Sequence, residues 1–169
     1  MCLNCDALMG SSDLGQGELD PDLTAFWNQL PHATVGQYFL RLADNTVFLA
    51  DPDLGNAMYI RDDYRGMLDT IVQLFASGMR KLVISGNPGI GKSWFGFFVL
   101  HYLATSAPDT PVVWESIRLK KRFLFRNGSA SRGDLSSFGK VLNDRTAWCE
   151  QSVAFLAERF AQQHPQVHR

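Results

Sequence analysis

The chain has 169 residues, of which 46% are hydrophobic, 12% aromatic and 20% charged. That length suits about one domain at roughly 150 residues each, and the apolar content suffices for a packed core, which excludes a disordered chain. The net charge of −1 covers a division: residues 1–79 hold eleven acids against three bases (Arg41, Arg61, Arg65), whereas residues 80–169 hold six acids against thirteen bases. An anion-binding site belongs in the second half.

No run of 18 apolar residues occurs, so no membrane-spanning helix and no membrane partner are expected. The first residues lack a basic segment followed by an apolar one, so no standard secretory signal is expected. Cys2, Cys5 and Cys149 are too few for a disulfide framework, and a reducing compartment is the default.

In chain order, residues 1–22 read as a disordered, acidic leader rich in Gly, Ser and Asp. Residues 23–80 read as a lead-in unit. It opens with a helical or irregular segment around Phe26, Trp27 and Leu30. Thr46–Ala50 and Ala57–Ile60 then read as two strands of a hairpin across the turn-forming Asp51–Asn56. From Asp62 to Met79 the apolar residues Tyr64, Met67, Leu68, Ile71, Phe75 and Met79 recur at three- and four-residue spacing. This predicts an amphipathic helix, with Asp62 and Asp63 at its positive end and Gly78 near its stop.

Residues 81–148 read as the core. Leu82–Ser85 is a short apolar strand, Lys92–Ser106 a helix apolar nearly all round and stopped by Pro108, and Pro111–Glu115 the next strand. Strand, loop, helix and strand make a βαβ unit. Arg122–Phe125 is a further strand ending at the turn Asn127-Gly128, and residues 129–138 read as a polar loop. In the divergent segment 149–169, an amphipathic helix entered from Ala147 runs to Gln162. The expected fold is α/β: a partial P-loop NTPase with a parallel sheet and flanking helices, preceded by a small β-hairpin and helix.

Between the strand at 82–85 and the helix at 92 stands Gly86-Asn87-Pro88-Gly89-Ile90-Gly91-Lys92-Ser93, the pattern G-x-x-x-x-G-K-[ST]. Its glycines permit backbone angles that side chains forbid and let the main chain approach a phosphate. Its N–H groups and the dipole of the following helix converge on an anion. Lys92 is expected on the β- and γ-phosphates, stabilising charge in any transfer, and Ser93 on Mg²⁺. All eight residues are thus candidate ligands of ATP or GTP, with Mg²⁺ carried on the nucleotide. Hydrolysis needs a further acid at the end of an apolar strand. Glu115, after Pro111-Val112-Val113-Trp114, is the candidate, and it comes early for that role. Enzyme or binder is therefore left open.

Three segments resemble the NTPase module of the Crinkler effectors of oomycetes and fungi, to which modules of trypanosome retrotransposon hot spot proteins are related. They are Tyr59-Ile60-Arg61-Asp62-Asp63-Tyr64, Val83 to Phe95, and Val112-Val113-Trp114-Glu115-Ser116-Ile117-Arg118, within roughly residues 24–148. The resemblance implies ATP as ligand and Arg61 and Tyr64 near it. It also implies secretion, delivery to a host cell or its nucleus, and a host protein or nucleic acid as partner. The chain departs from that pattern after Trp148: Cys149-Glu150-Gln151-Ser152 stands where an apolar strand ending in Asp belongs. It also lacks the leucine-rich translocation motif. The expectation is a truncated member. Two other readings stay open, a small P-loop kinase and a non-catalytic interaction protein with a relic loop.

Weaker patterns have plainer explanations. Cys2-x-x-Cys5 and His164-x-x-x-His168 have zinc-like spacings but lie at opposite ends of the chain. The basic run Arg118, Lys120, Lys121, Arg122 and Arg126 suits nucleic acid or a charged strand edge. Trp94, Phe95, Phe97 and Phe98 suit core packing before a partner surface.

Overall fold

The structure is a computed structural model that describes residues 17–79, 82, 84–116, 119–139, 141 and 148–149. The first ordered element comes earlier than expected. Glu18–Leu19 (β1) pairs antiparallel with Ser129–Gly133 (β7), so the leader does not extend to residue 22. Asp20 then caps helix α1, Pro21–Gln29: its carboxylate accepts from the Leu23 N–H at 2.9 Å. Pro21 suits the first helical position because it has no N–H to leave unpaired. The helix buries Leu23, Phe26 and Trp27.

A small antiparallel sheet follows, in the order Thr34–Val35 (β2), Phe39–Arg41 (β3), Ala57–Tyr59 (β4). The expected hairpin between Thr46–Ala50 and Ala57–Ile60 is not formed. β4 pairs with β3, and Phe48–Ala50 is a 3-10 turn with Leu49 and Ala50 at φ of 53° and 55°. Tertiary packing explains the departure: Phe48 is fully buried against Phe26, Trp94 and Phe97. A flat strand would have pointed its neighbours Val47 and Leu49 to the opposite side.

Helix α2 runs Asp62–Ala76 and buries Tyr64, Leu68, Ile71 and Phe75, the stripe read from the sequence. It ends through Gly78, at φ 95°, whose left-handed backbone returns the Met79 N–H to the Leu74 carbonyl. Helix α3, Lys92–Ser106, has the predicted limits. Its apolar circumference is covered on most sides: Phe95, Phe97, Phe98, Val99, Leu100, Leu103 and Ala104 are buried, and Phe97 stacks on Trp114 with centroids 4.9 Å apart. The aromatic cluster is core.

The larger sheet has the order β1-β7-β6-β5-β8, where β5 is Val112–Ser116, β6 is Lys121–Arg126 and β8 is Trp148–Cys149. This corrects the parallel-sheet P-loop NTPase fold. β5 runs antiparallel to β6, β6 to β7 and β7 to β1; the parallel pairing is confined to two residues of β5 and β8. Both edges of β5 are taken, by β6 and β8, so the segment before the glycine loop is not its neighbour and the expected βαβ unit does not form with it. Within that segment Leu82 makes an isolated bridge, and Leu82 and Ile84 pack on the core. Residues 129–133 of the expected polar loop are β7. Asn127 and Gly128, at φ of 50° and 71°, make a two-residue turn whose twist suits a hairpin. The helix expected from Ala147 to Gln162 lies outside the described residues except at Trp148 and Cys149, which are strand. Among the described residues no helix is long and apolar enough to cross a membrane.

Candidate nucleotide-phosphate site

The glycine loop is bent back on itself. Gly86, Gly89 and Gly91 have φ of 159°, 80° and 91°. The last two lie in the left-handed region, where a side chain is strained. The Ile90 N–H closes a turn onto the Asn87 carbonyl at 3.3 Å. Lys92 then folds over the loop, its ammonium donating to the carbonyls of Gly86 at 2.8 Å and Asn87 at 3.0 Å. An ammonium can hold both only if the chain from 86 to 92 curls around it. Lys92 and Ser93 are the exposed first residues of α3, whose leading N–H groups have no partner within the helix and whose dipole is positive there.

Helix α2 braces this loop from the side. The Tyr64 hydroxyl donates to the Gly91 carbonyl at 2.7 Å, and Arg61 Nη1 donates to the Ile90 carbonyl at 3.2 Å. The Gly91 carbonyl also accepts the Phe95 N–H at 2.9 Å, so two donors fix the peptide that precedes Lys92. Burial raises the Tyr64 pKa above 10.0, and the nearby Arg61 cation opposes that in smaller measure. The phenol therefore stays a donor through the neutral range.

Loop and helices enclose a cavity of about 180 Å³. Arg61, Asp63, Ser85 and Lys92 give it a polar side; Met67, Ile84, Ile90 and Phe95 give it an apolar one. Of the sequence candidates, Ile90, Gly91 and Lys92 line it together with Arg61 and Tyr64, which only the resemblance had pointed to. Asp63, Met67, Ile84, Ser85 and Phe95 were missed as lining residues. Met67 was legible in principle, one helical turn beyond Tyr64.

Glu115 does not join this group. It lies on β5 of the large sheet, directly across from Arg122 on β6, with Oε2 2.6 Å from Arg122 Nε. Its side chain is 3% exposed and that of Arg122 16%. Arg122 Nη1 also donates to the Ser137 carbonyl at 3.1 Å. Arg122 thus leaves the exposed basic run and serves the sheet interior. Among the described residues, no three His, Cys, Asp or Glu side chains are grouped to hold a metal ion. Cys2, Cys5, His164 and His168 lie outside them.

No family model, curated protein or solved structure matches the chain.

Proposed function

We propose that the protein binds a nucleoside triphosphate, with its phosphates in the loop Gly86–Ser93. The observation that carries this reading is the clasp of Lys92 on the Gly86 and Asn87 carbonyls, which holds the loop as a closed turn ahead of a helix N-terminus. In that setting Lys92, the leading N–H groups of α3 and the helix dipole present positive charge to an anion. The cavity beside the loop adds an apolar wall from Met67, Ile84, Ile90 and Phe95, suited to the flat face of a base. The Crinkler resemblance makes ATP the first ligand to test.

Mg²⁺ bound through phosphates needs only one or two protein oxygens. Ser93, at the start of α3, and Asp63, on the cavity wall, are the side chains that offer them here. The bound ion would neutralise phosphate charge. The reading is one of binding and not of turnover, because Glu115, the sequence candidate for a catalytic acid, is engaged with Arg122 in the sheet.

The test is a thermal shift of the whole chain with Mg²⁺-ATP, Mg²⁺-GTP and Mg²⁺ alone. At a hundredfold excess over Kd, ligand binding adds about 2.7 kcal/mol, which for a domain of this size raises Tm by roughly 5–10 °C. Lys92→Ala should lose that rise. No rise in the wild type, or an equal rise in Lys92→Ala, overturns the reading.

A further inference from the structure

The small sheet shows an outward face that its packing does not require. Leu40 and Met58 take the inner positions of β3 and β4 and are buried. The outer positions hold Phe39 and Arg41 on β3 and Ala57 and Tyr59 on β4. Outer positions of a half-solvated sheet are ordinarily polar. Here Phe39 sits directly across from Tyr59, and Tyr38 lies nearly parallel to Tyr59, with ring centroids 6.1 Å apart and planes 11° from one another. All three rings are open to solvent: Tyr38 is 45% exposed, Phe39 43% and Tyr59 62%.

Positive charge accompanies these rings. The guanidinium of Arg41 lies over the Phe39 ring at 6.0 Å. Arg65 holds the turn that carries Tyr38, donating to the Gly36 and Gln37 carbonyls at 2.8 Å each. Arg61, two residues past Tyr59, turns instead to the Ile90 carbonyl of the phosphate loop. These are all the bases of residues 1–79, a stretch otherwise strongly acidic, and the strands β2, β3 and β4 contain no acid. Two of these three cations, Arg41 and Arg65, thus stand beside the exposed rings. Asp62 and Asp63, at the start of α2, are the nearest acids in sequence to that face on the β4 side.

We infer that this face is a stacking platform for single-stranded nucleic acid: bases lie on Tyr59, Tyr38 and Phe39, and Arg41 and Arg65 attract the phosphates. Every base has a π-face, so aromatic rings accept bases without regard to sequence, and an arginine plane over a ring both stacks and donates to phosphate. The strip from residue 37 to residue 41 spans about 13 Å at roughly 3.3 Å per residue, long enough for more than one base. The inference is independent of the phosphate loop.

The test is fluorescence anisotropy of labelled oligo-dT and oligo-U, about 15 nucleotides long, with the whole chain at low and at physiological salt. Binding should weaken as salt rises. Tyr59→Ala and Tyr38→Ala should each weaken it at least about fivefold, the lower end of what one stacked base contributes. Tyr59→Phe, which keeps the ring, should bind as the wild type does. These side chains are exposed, so melting temperature should stay unchanged and report any loss of fold. Wild type that binds neither oligonucleotide at low salt overturns the proposal and leaves the face to a protein partner. Binding that survives Tyr59→Ala but disappears in Lys121→Ala/Arg126→Ala overturns it as well, by assigning the contact to the basic run on β6.

Discussion

The hydroxyl of Tyr64 rests on the carbonyl of Gly91, 2.7 Å away, and a methyl group placed on Gly91 would stand at the same 2.7 Å from that hydroxyl oxygen. One contact therefore explains why a tyrosine on α2 and a glycine before α3 go together. Gly91→Ala meets both the hydroxyl and a φ of 91°, so it should displace the turn before Lys92 and abolish the ATP-dependent rise in Tm. Tyr64→Phe removes one hydrogen bond and should cost about 1 kcal/mol in urea unfolding. The double variant should recover only part of the nucleotide response, since it relieves the clash and not the backbone strain. A full recovery would show that the clash alone matters.

Asp20 joins the first strand to the first helix. Its Oδ1 accepts the Leu23 N–H, and its Oδ2 lies 2.8 Å from Arg132 on β7. Asp20→Ala should cost about 1 kcal/mol through the lost cap, with little more from the partly exposed ion pair. Asp20→Asn, which keeps the cap and drops the charge, should recover most of it. An Asn variant that loses as much as the Ala variant would place the energy in the ion pair, contrary to this assignment.

What was legible in the sequence divides along physical lines. Both helices that shape the cavity have strong local signals: an apolar stripe with acids at its start for α2, and the glycine loop and Pro108 bounding α3. The fold class was not legible, because it rests on pairings between distant segments. β7 is written Ser-Ala-Ser-Arg-Gly and has no apolar alternation, yet Ala130 and Ser131 are buried under its neighbours. Its one signal was the Asn127-Gly128 turn, which calls for a returning strand. Thr46–Ala50 failed in the opposite way: a run of strand-forming residues was overridden when Phe48 was drawn into the core. The glycine loop was legible as a motif, of which Ile90, Gly91 and Lys92 line the cavity, and its brace from Arg61 and Tyr64 was reached only through a likeness between segments.

His101 on α3 gives the fold a pH dependence with a definite sign. Burial lowers its pKa below the ordinary 6.5. The folded state favours the neutral ring, so this contribution to stability is complete above pH 6.5 and is lost as pH falls through the lowered value. Urea unfolding from pH 7 to about pH 5 should show a decline that His101→Gln reduces. An identical decline in the variant would assign the effect to other groups.

Glu115 separates a structural acid from a catalytic one. It and Arg122 occupy facing positions on β5 and β6, and both are largely withdrawn from water. Removing one partner of such a pair leaves the other charge buried without compensation. Glu115→Ala should therefore cost about 3–5 kcal/mol, while replacing both residues with apolar ones of similar volume should be nearly neutral. Glu115→Gln should cost less than Ala, because its amide oxygen still accepts from Arg122 while the charge goes unanswered. An acid that held Mg²⁺ at the phosphates would behave otherwise. Its amide variant would unfold like the wild type and lose only the Mg²⁺-dependent part of the ATP response. Urea unfolding and Mg²⁺-ATP thermal shift on the same Glu115→Gln sample decide between the two, and the buried pairing with Arg122 calls for the first.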